Sequence, residues 1–226
     1  MVTSRELADI VGDALGIPRE TAQLHLKTIR AAGEISFKGY GRAAAAMTAL
    51  DASRLIIAAA GSTFAKDSAD VLKRFAKLRP ISARTRITDP LEDFLAWRIE
   101  ELSLGTPPIE HASAWPEWQK GFGSRRLAET ALQLIDPIPI SDKTAHLARY
   151  AIVRSIDHRG HPHVLVFGPD GERLERRGAD AHDLLGRYSG HQLFQMRMVK
   201  REALIEIAAA LKGIELSYGN AYGNTR

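Results

Sequence analysis

Apolar residues recur at helical spacing from the start of the chain. Leu7, Ile10, Val11, Ala14 and Leu15 form one stripe. Thr3 or Ser4 caps it and Gly16 ends it. Gly16-Ile17-Pro18 then makes a short turn, and Pro18 suits the first position of a helix because its missing N–H has no partner to find there. Ala22, Leu26 and Ile29, at offsets of four and three, give the next helix a thin apolar stripe. Ile17 and Ile35 flank it as apolar anchors, and Gly33 stands where the helix must stop. Its other side carries Arg19, Thr21, Gln23, His25, Lys27, Thr28 and Arg30. The acid of this stretch, Glu20, sits near the N-terminal end, where the helix dipole favours it.

Residues 34–37 and 43–47 read as short strands joined by Lys38-Gly39-Tyr40-Gly41-Arg42, whose two glycines permit a tight hairpin. Thr48-x-x-Asp51 then opens a helix with Leu50, Leu55, Ile56 and Ala59 inward, broken at Gly61-Ser62-Thr63. A further helix is expected over 66–78, with Val71, Leu72, Phe75 and Leu78 inward and Lys73, Arg74 and Lys77 outward. Residues 80–88 read as a linker and domain boundary. Asp89-Pro90-Leu91-Glu92 combines an Asp cap, a first-turn proline and a glutamate three residues after the cap. Leu91, Phe94, Leu95, Ile99 and Leu102 make the following helix apolar over a face broad enough to need a partner. Residues 105–123 are irregular; Trp115 and Trp118 there either cover the core or line a pocket. A helix is expected over 124–135, with Leu127, Ala131, Leu134 and Ile135 inward, ended by Pro137 and Pro139.

Beyond this point the chain changes character. Strands are expected over 147–156, 162–167 and 172–177, separated by turns at 157–161 and 168–171, and over 192–199, where Phe194, Met196 and Met198 alternate with Gln195 and Arg197. A helix over 200–211 closes the fold by covering one face of an antiparallel sheet, and the tail from residue 213 is loose. The expected class is α+β: a DNA-binding region over 1–79, an α+β effector or dimerisation domain over 89–212, and a flexible tail over 213–226.

The early stretch resembles the recognition half of a winged helix-turn-helix. The places that carry the resemblance are Gly16-Ile17-Pro18, Arg19-Glu20-Thr21-Ala22, His25-Leu26, Ile29 and Ala32-Gly33-Glu34-Ile35, which cover about the first quarter of the chain. The order helix-turn-helix, Gly-Tyr-Gly-Arg wing, helix is similar to the layout of MerR-like regulators. The resemblance implies a bacterial transcriptional regulator that binds double-stranded DNA. Arg19, Thr21, Gln23 and Leu24 would approach bases, with Leu24 against a thymine methyl. His25, Lys27 and Arg30 would hold phosphates, and Lys38, Tyr40 and Arg42 would hold the backbone beside the groove. A unit this small contacts few base pairs, so a homodimer on a two-fold site is expected. Most winged helices have another helix ahead of this pair. Here its support must come from later in the chain or from a second subunit, and the helix opened by Thr48 is the choice.

Composition narrows the chemistry. In 226 residues there is no Cys, which removes disulfides, thiolate metal sites and Cys nucleophiles. Net charge is +4, and residues 1–90 carry 14 Lys and Arg against 9 Asp and Glu, so the positive excess lies with the expected DNA-binding half. The N-terminus is polar rather than a secretory signal and no apolar run reaches membrane-spanning length, so a cytoplasmic protein is expected. His158, His161 and His163 are ligand types set around a turn, but no further ligand is placed beside them by spacing, and the expectation is no metal and no cofactor. No phosphate-binding or dinucleotide loop, zinc-protease motif or nucleophile elbow is present, and no enzyme is expected. A protein partner or a small-molecule effector would act through the C-terminal part. The alternative function is a phage-derived or DNA-associated assembly module with little sequence reading.

Overall fold

The computed structural model describes residues 2–36, 46–81, 87–103, 130–137, 149–156, 162–169 and 194–214. In order, the elements are α1 (Ser4–Leu15), α2 (Arg19–Ala31), α3 (Ala49–Gly61), a 3₁₀ turn (Ala65–Asp67), α4 (Ser68–Ala76), β1 (Arg79–Pro80), α5 (Leu91–Ser103), β2 (Thr130–Pro137), β3 (Tyr150–Ile156), β4 (Pro162–Gly168), β5 (Phe194–Lys200) and α6 (Arg201–Lys212). The class is α+β. The sheet runs β1-β4-β3-β2-β5 with every neighbouring pair antiparallel.

Local chemistry explains the helix ends. Thr3 accepts from the Glu6 amide and Glu6 accepts from the Thr3 amide, so two N–H groups at the start of α1 are satisfied reciprocally. Gly16 closes α1 at φ 68, a left-handed conformation that a side chain resists. The same reciprocal cap joins Thr48 and Asp51 at the start of α3. The glutamate expected to cap α5 does something else. Glu92 is buried, pairs with Arg54 Nε at 2.7 Å and with Lys77 Nζ, and so ties α3, α4 and α5 together.

α3 is the hub of the helical layer. Leu55, Ile56, Ile57 and Ala58 are all fully enclosed, which happens only when a helix is packed on every side. It meets α1 and α2 on one side and α4, α5 and the sheet on others. The broad apolar face of α5 finds its partners within the chain, on α3 and α6. α6 also packs on α1, so the support sought for the first two helices comes from both α3 and the C-terminal helix. One buried cluster therefore runs from Leu7 and Ile29 through Leu55 and Leu95 to Leu204 and Ile207, across residues 80–88. Arg79 and Pro80, the edge of the expected linker, pair with β4 as an edge strand, where a proline without an N–H is tolerated.

The expectation of a helix over 124–135 fails where it can be compared. Residues 130–135 belong to β2, which lies between β3 and β5. Leu132 and Leu134 face the helices with Val153, Ala151, Leu165 and Phe167 in register beside them. Gln133 and Ile135 are buried on the other face. A strand buried on both faces loses the alternation that betrays a strand, and its apolar run then imitates a helix. The first expected wing strand also differs, since Ile35 and Ser36 are not in a strand. Strand 172–177, the wing residues Lys38, Tyr40 and Arg42, the turn at 157–161, Trp115 and Trp118 lie outside the described residues. No described helix is long and apolar enough to cross a membrane.

Candidate nucleic-acid interface

α2 is held from behind and presented from the front. Ala22, Leu26 and Ile29 are buried, and α2 packs against α1, α3, α4 and the 3₁₀ turn. The crossing with α1 is close because Gly12 carries no side chain: a Cβ there would meet Ala22 Cβ and Ile17 O, each at 3.3 Å. At the turn, Ile17 N donates to Gly12 O at 2.9 Å, which sets the angle at which α2 leaves α1. The outward side exposes Arg19, Glu20, Leu24, Lys27 and Ala31, with Leu24 at 53%.

The expected contact residues of α2 divide into four groups: exposed, exposed but engaged, half-buried and buried. Leu24 and Lys27 are exposed as anticipated. Arg19 is exposed but its guanidinium is engaged: Nε donates to Asp13 Oδ1 at 2.9 Å and Nη2 to Asp13 Oδ2 at 2.7 Å. That hydrogen bonding holds the Asp13 carboxyl below the usual carboxylate range and raises Arg19. Gln23 is half-buried and donates to Asp9 Oδ1 at 2.7 Å, and Arg30 donates to Ser4 Oγ at 2.7 Å. Thr21 is half-buried, and Thr28 returns its hydroxyl to the Leu24 carbonyl at 3.0 Å.

His25 is the correction. It was expected at a phosphate, but it is 2% exposed and lies under α2, with Nδ1 2.6 Å from Ser68 Oγ. The Ser68 hydroxyl gives its own proton to Ala65 O, so Nδ1 carries a hydrogen and donates. Burial lowers the imidazole below its ordinary pKa. His25 is thus a neutral link between α2 and the start of α4.

The chain between α2 and α3 leaves and returns at one carboxylate. Ser36 N donates to Asp51 Oδ1 at 3.0 Å, and Thr48 N and Oγ1 donate to Oδ2 at 2.9 and 2.8 Å. Met47 N also donates to Val2 O at 2.9 Å. The two ends of the stretch that holds Lys38, Tyr40 and Arg42 are therefore side by side.

The groups that reading by helix periodicity missed are acids. Asp9 and Asp13 lie four apart on α1, and both meet polar side chains of α2. Their spacing was the available signal. Among the described residues no group of His, Cys, Asp and Glu is gathered to hold a metal. A cleft of about 330 Å³ opens where the end of α3 and the start of α4 meet the sheet, lined by Thr63, Phe64, Asp67, Asp70, Arg74 and Asp136 among others. No protein-family model, curated protein or solved structure matches the chain.

Proposed function

We propose that this protein is a DNA-binding transcriptional regulator that uses α1 and α2 as a winged helix-turn-helix. α2 would lie in the major groove with Arg19, Leu24 and Lys27 toward the duplex. Lys38, Tyr40 and Arg42 would touch the backbone from the wing. The observation that carries this reading is the outward stripe of α2: on a helix buried along its back it combines an exposed leucine with the exposed Arg19 and Lys27, and among the described residues no hydrogen bond or ion pair is made by Lys27. The side-by-side ends at Ser36 and Thr48 support a hairpin between them. His25 has no part in this surface. A homodimer on a two-fold site fits the small number of base pairs that one unit can reach.

A mobility-shift titration across salt tests it. Lys27→Ala is expected to weaken every duplex by a similar factor and to lower the salt slope by about one, as loss of one phosphate contact does. Unchanged affinity and slope in that variant, or no retardation of any duplex at low salt, sinks the proposal.

A second reading has one observation in its favour. Asp9, Asp13 and Glu20 lie among the basic groups of α1 and α2 and dilute their field. A DNA-associated assembly module with little sequence reading would tolerate that. A shallow preference among duplexes together with a tight protein partner would favour it.

A further inference from the structure

We infer that Arg19 reads a guanine and that Asp13 is the residue that aims it; this rests on the proposal that α2 enters a DNA groove. The guanidinium is planar and offers its hydrogens along two usable edges. Asp13 takes one edge completely, through Nε and Nη2 at 2.9 and 2.7 Å. The fork–fork geometry fixes the plane of the group, and the second edge, Nη1 with the remaining Nη2 hydrogen, points away from that carboxylate. Two parallel donors at that spacing match the O6 and N7 acceptors that guanine shows in the major groove, and no other base offers two acceptors there on one edge.

Position agrees with chemistry. Arg19 is the first residue of α2, after a proline, and the N-terminal residues of a recognition helix are the ones that reach base edges. Its side chain is 59% exposed and that of Asp13 is 55% exposed, so the aimed edge is open to a ligand. Gln23, the other base-reading candidate, is half-buried and already donates to Asp9. An exposed pair of this kind adds little to stability. Its value lies in order: an arginine otherwise free to rotate arrives at the groove already oriented, and less entropy is lost on contact. Asp13 is a positioning residue and Arg19 a specificity-determining one.

The test is selection of duplexes from a random pool by the full chain, repeated with Arg19→Ala, Arg19→Lys and Asp13→Ala. The wild-type protein is expected to enrich a guanine at one position of each half-site. Arg19→Ala should lower that preference about tenfold, the size of one bidentate contact, and leave other positions as they were. Arg19→Lys should restore it only in part, since an ammonium can still reach O6 and N7 but lacks the planar fork that Asp13 fixes. Asp13→Ala should lower preference at the same position while total affinity at low salt holds or rises, because an acid has left a surface that meets phosphates. A loss of affinity without a change in base preference would give Asp13 a merely structural part and overturn the inference. So would a guanine preference that survives Arg19→Ala, or an enriched pool without guanine. Each of these leaves DNA binding itself standing, whereas failure of the wild-type chain to retain any duplex removes both.

Discussion

His25 sits on the basic side of a helical wheel, yet it is a core residue. The turn at Ala65–Asp67 and Ser68 close over it, and a neutral imidazole donating to Ser68 Oγ satisfies the serine as well. Because burial lowers its pKa in the folded chain, the unfolded chain takes up the proton first. Stability is then intact above the usual histidine value of 6.5 and falls as pH drops below it. His25→Asn keeps a donor near the place of Nδ1 and cannot titrate, so the part of the acid-side loss that begins at 6.5 should vanish in urea midpoints measured between pH 7.5 and 5. Glu92 gives the deeper limb. Burial alone would raise its carboxyl, but Arg54 and Lys77 outweigh this and hold it below the ordinary 4.5. That contribution is present above 4.5 and lost as pH falls through the lowered value. Glu92→Gln should cost about 2–3 kcal/mol at pH 7, the low end for a broken buried pair because Lys77 reaches water.

Elements here depend on close approaches as much as on periodicity. α3 turns into the α4 region at Gly61, where a Cβ would stand 2.6 Å from Val71 Cγ1. Valine is stiff at χ1 and cannot swing away. Gly61→Ala should therefore destabilise by about 2 kcal/mol, read as a fall in melting temperature of roughly 4–8 °C, although alanine is the better helix former. The start of α3 makes the opposite point. Asp51 is 1% exposed and serves the cap, Ser36 and Thr48 at once. Asp51→Ala removes all of these acceptors together, and a loss of about 2 kcal/mol is expected in chemical denaturation, more than the typical 1 kcal/mol of a helix cap alone.

At the scale of the whole molecule, the N-terminal helices do not close a core by themselves. Leu7 and Val11 of α1 belong to the same cluster as Leu204, Ile207 and Ala208 of α6, and α3 is covered by α5 as well as by α1 and α2. A fragment ending at residue 79 leaves those faces open to water. It should unfold without a cooperative transition and bind a hydrophobic dye, whereas the full chain melts in one step; a sharp transition in the fragment would show that α1–α4 suffice. Helix α6 packs on α1 as well as on β2 and β5, so the first helix and the sheet share one neighbour.

Helices α1, α2 and α4 were legible in the chain by an apolar stripe, and α3 and α5 by their start signals and apolar content: the Thr3 and Thr48 caps, the Gly16 stop and the proline before α2 are local chemistry that acts wherever the helix lies. Strand β5 was legible by its alternation, and β3 and β4 by the turn residues that bound their apolar runs. β3 and β2 are both buried on both faces, so neither carries a clear period; β2 also lacked a turn signal ahead of it, and its apolar run then read as a helix. The candidate surface divides along the same line. Local pattern put Leu24 and Lys27 on an outward face, and the fold agrees. That His25 lies inward, that Asp13 takes one edge of Arg19 and that Glu92 joins three helices were decided by partners up to 43 residues away along the chain. A side chain's partner across space leaves no mark on the spacing around it, and only the packed chain brings the two together.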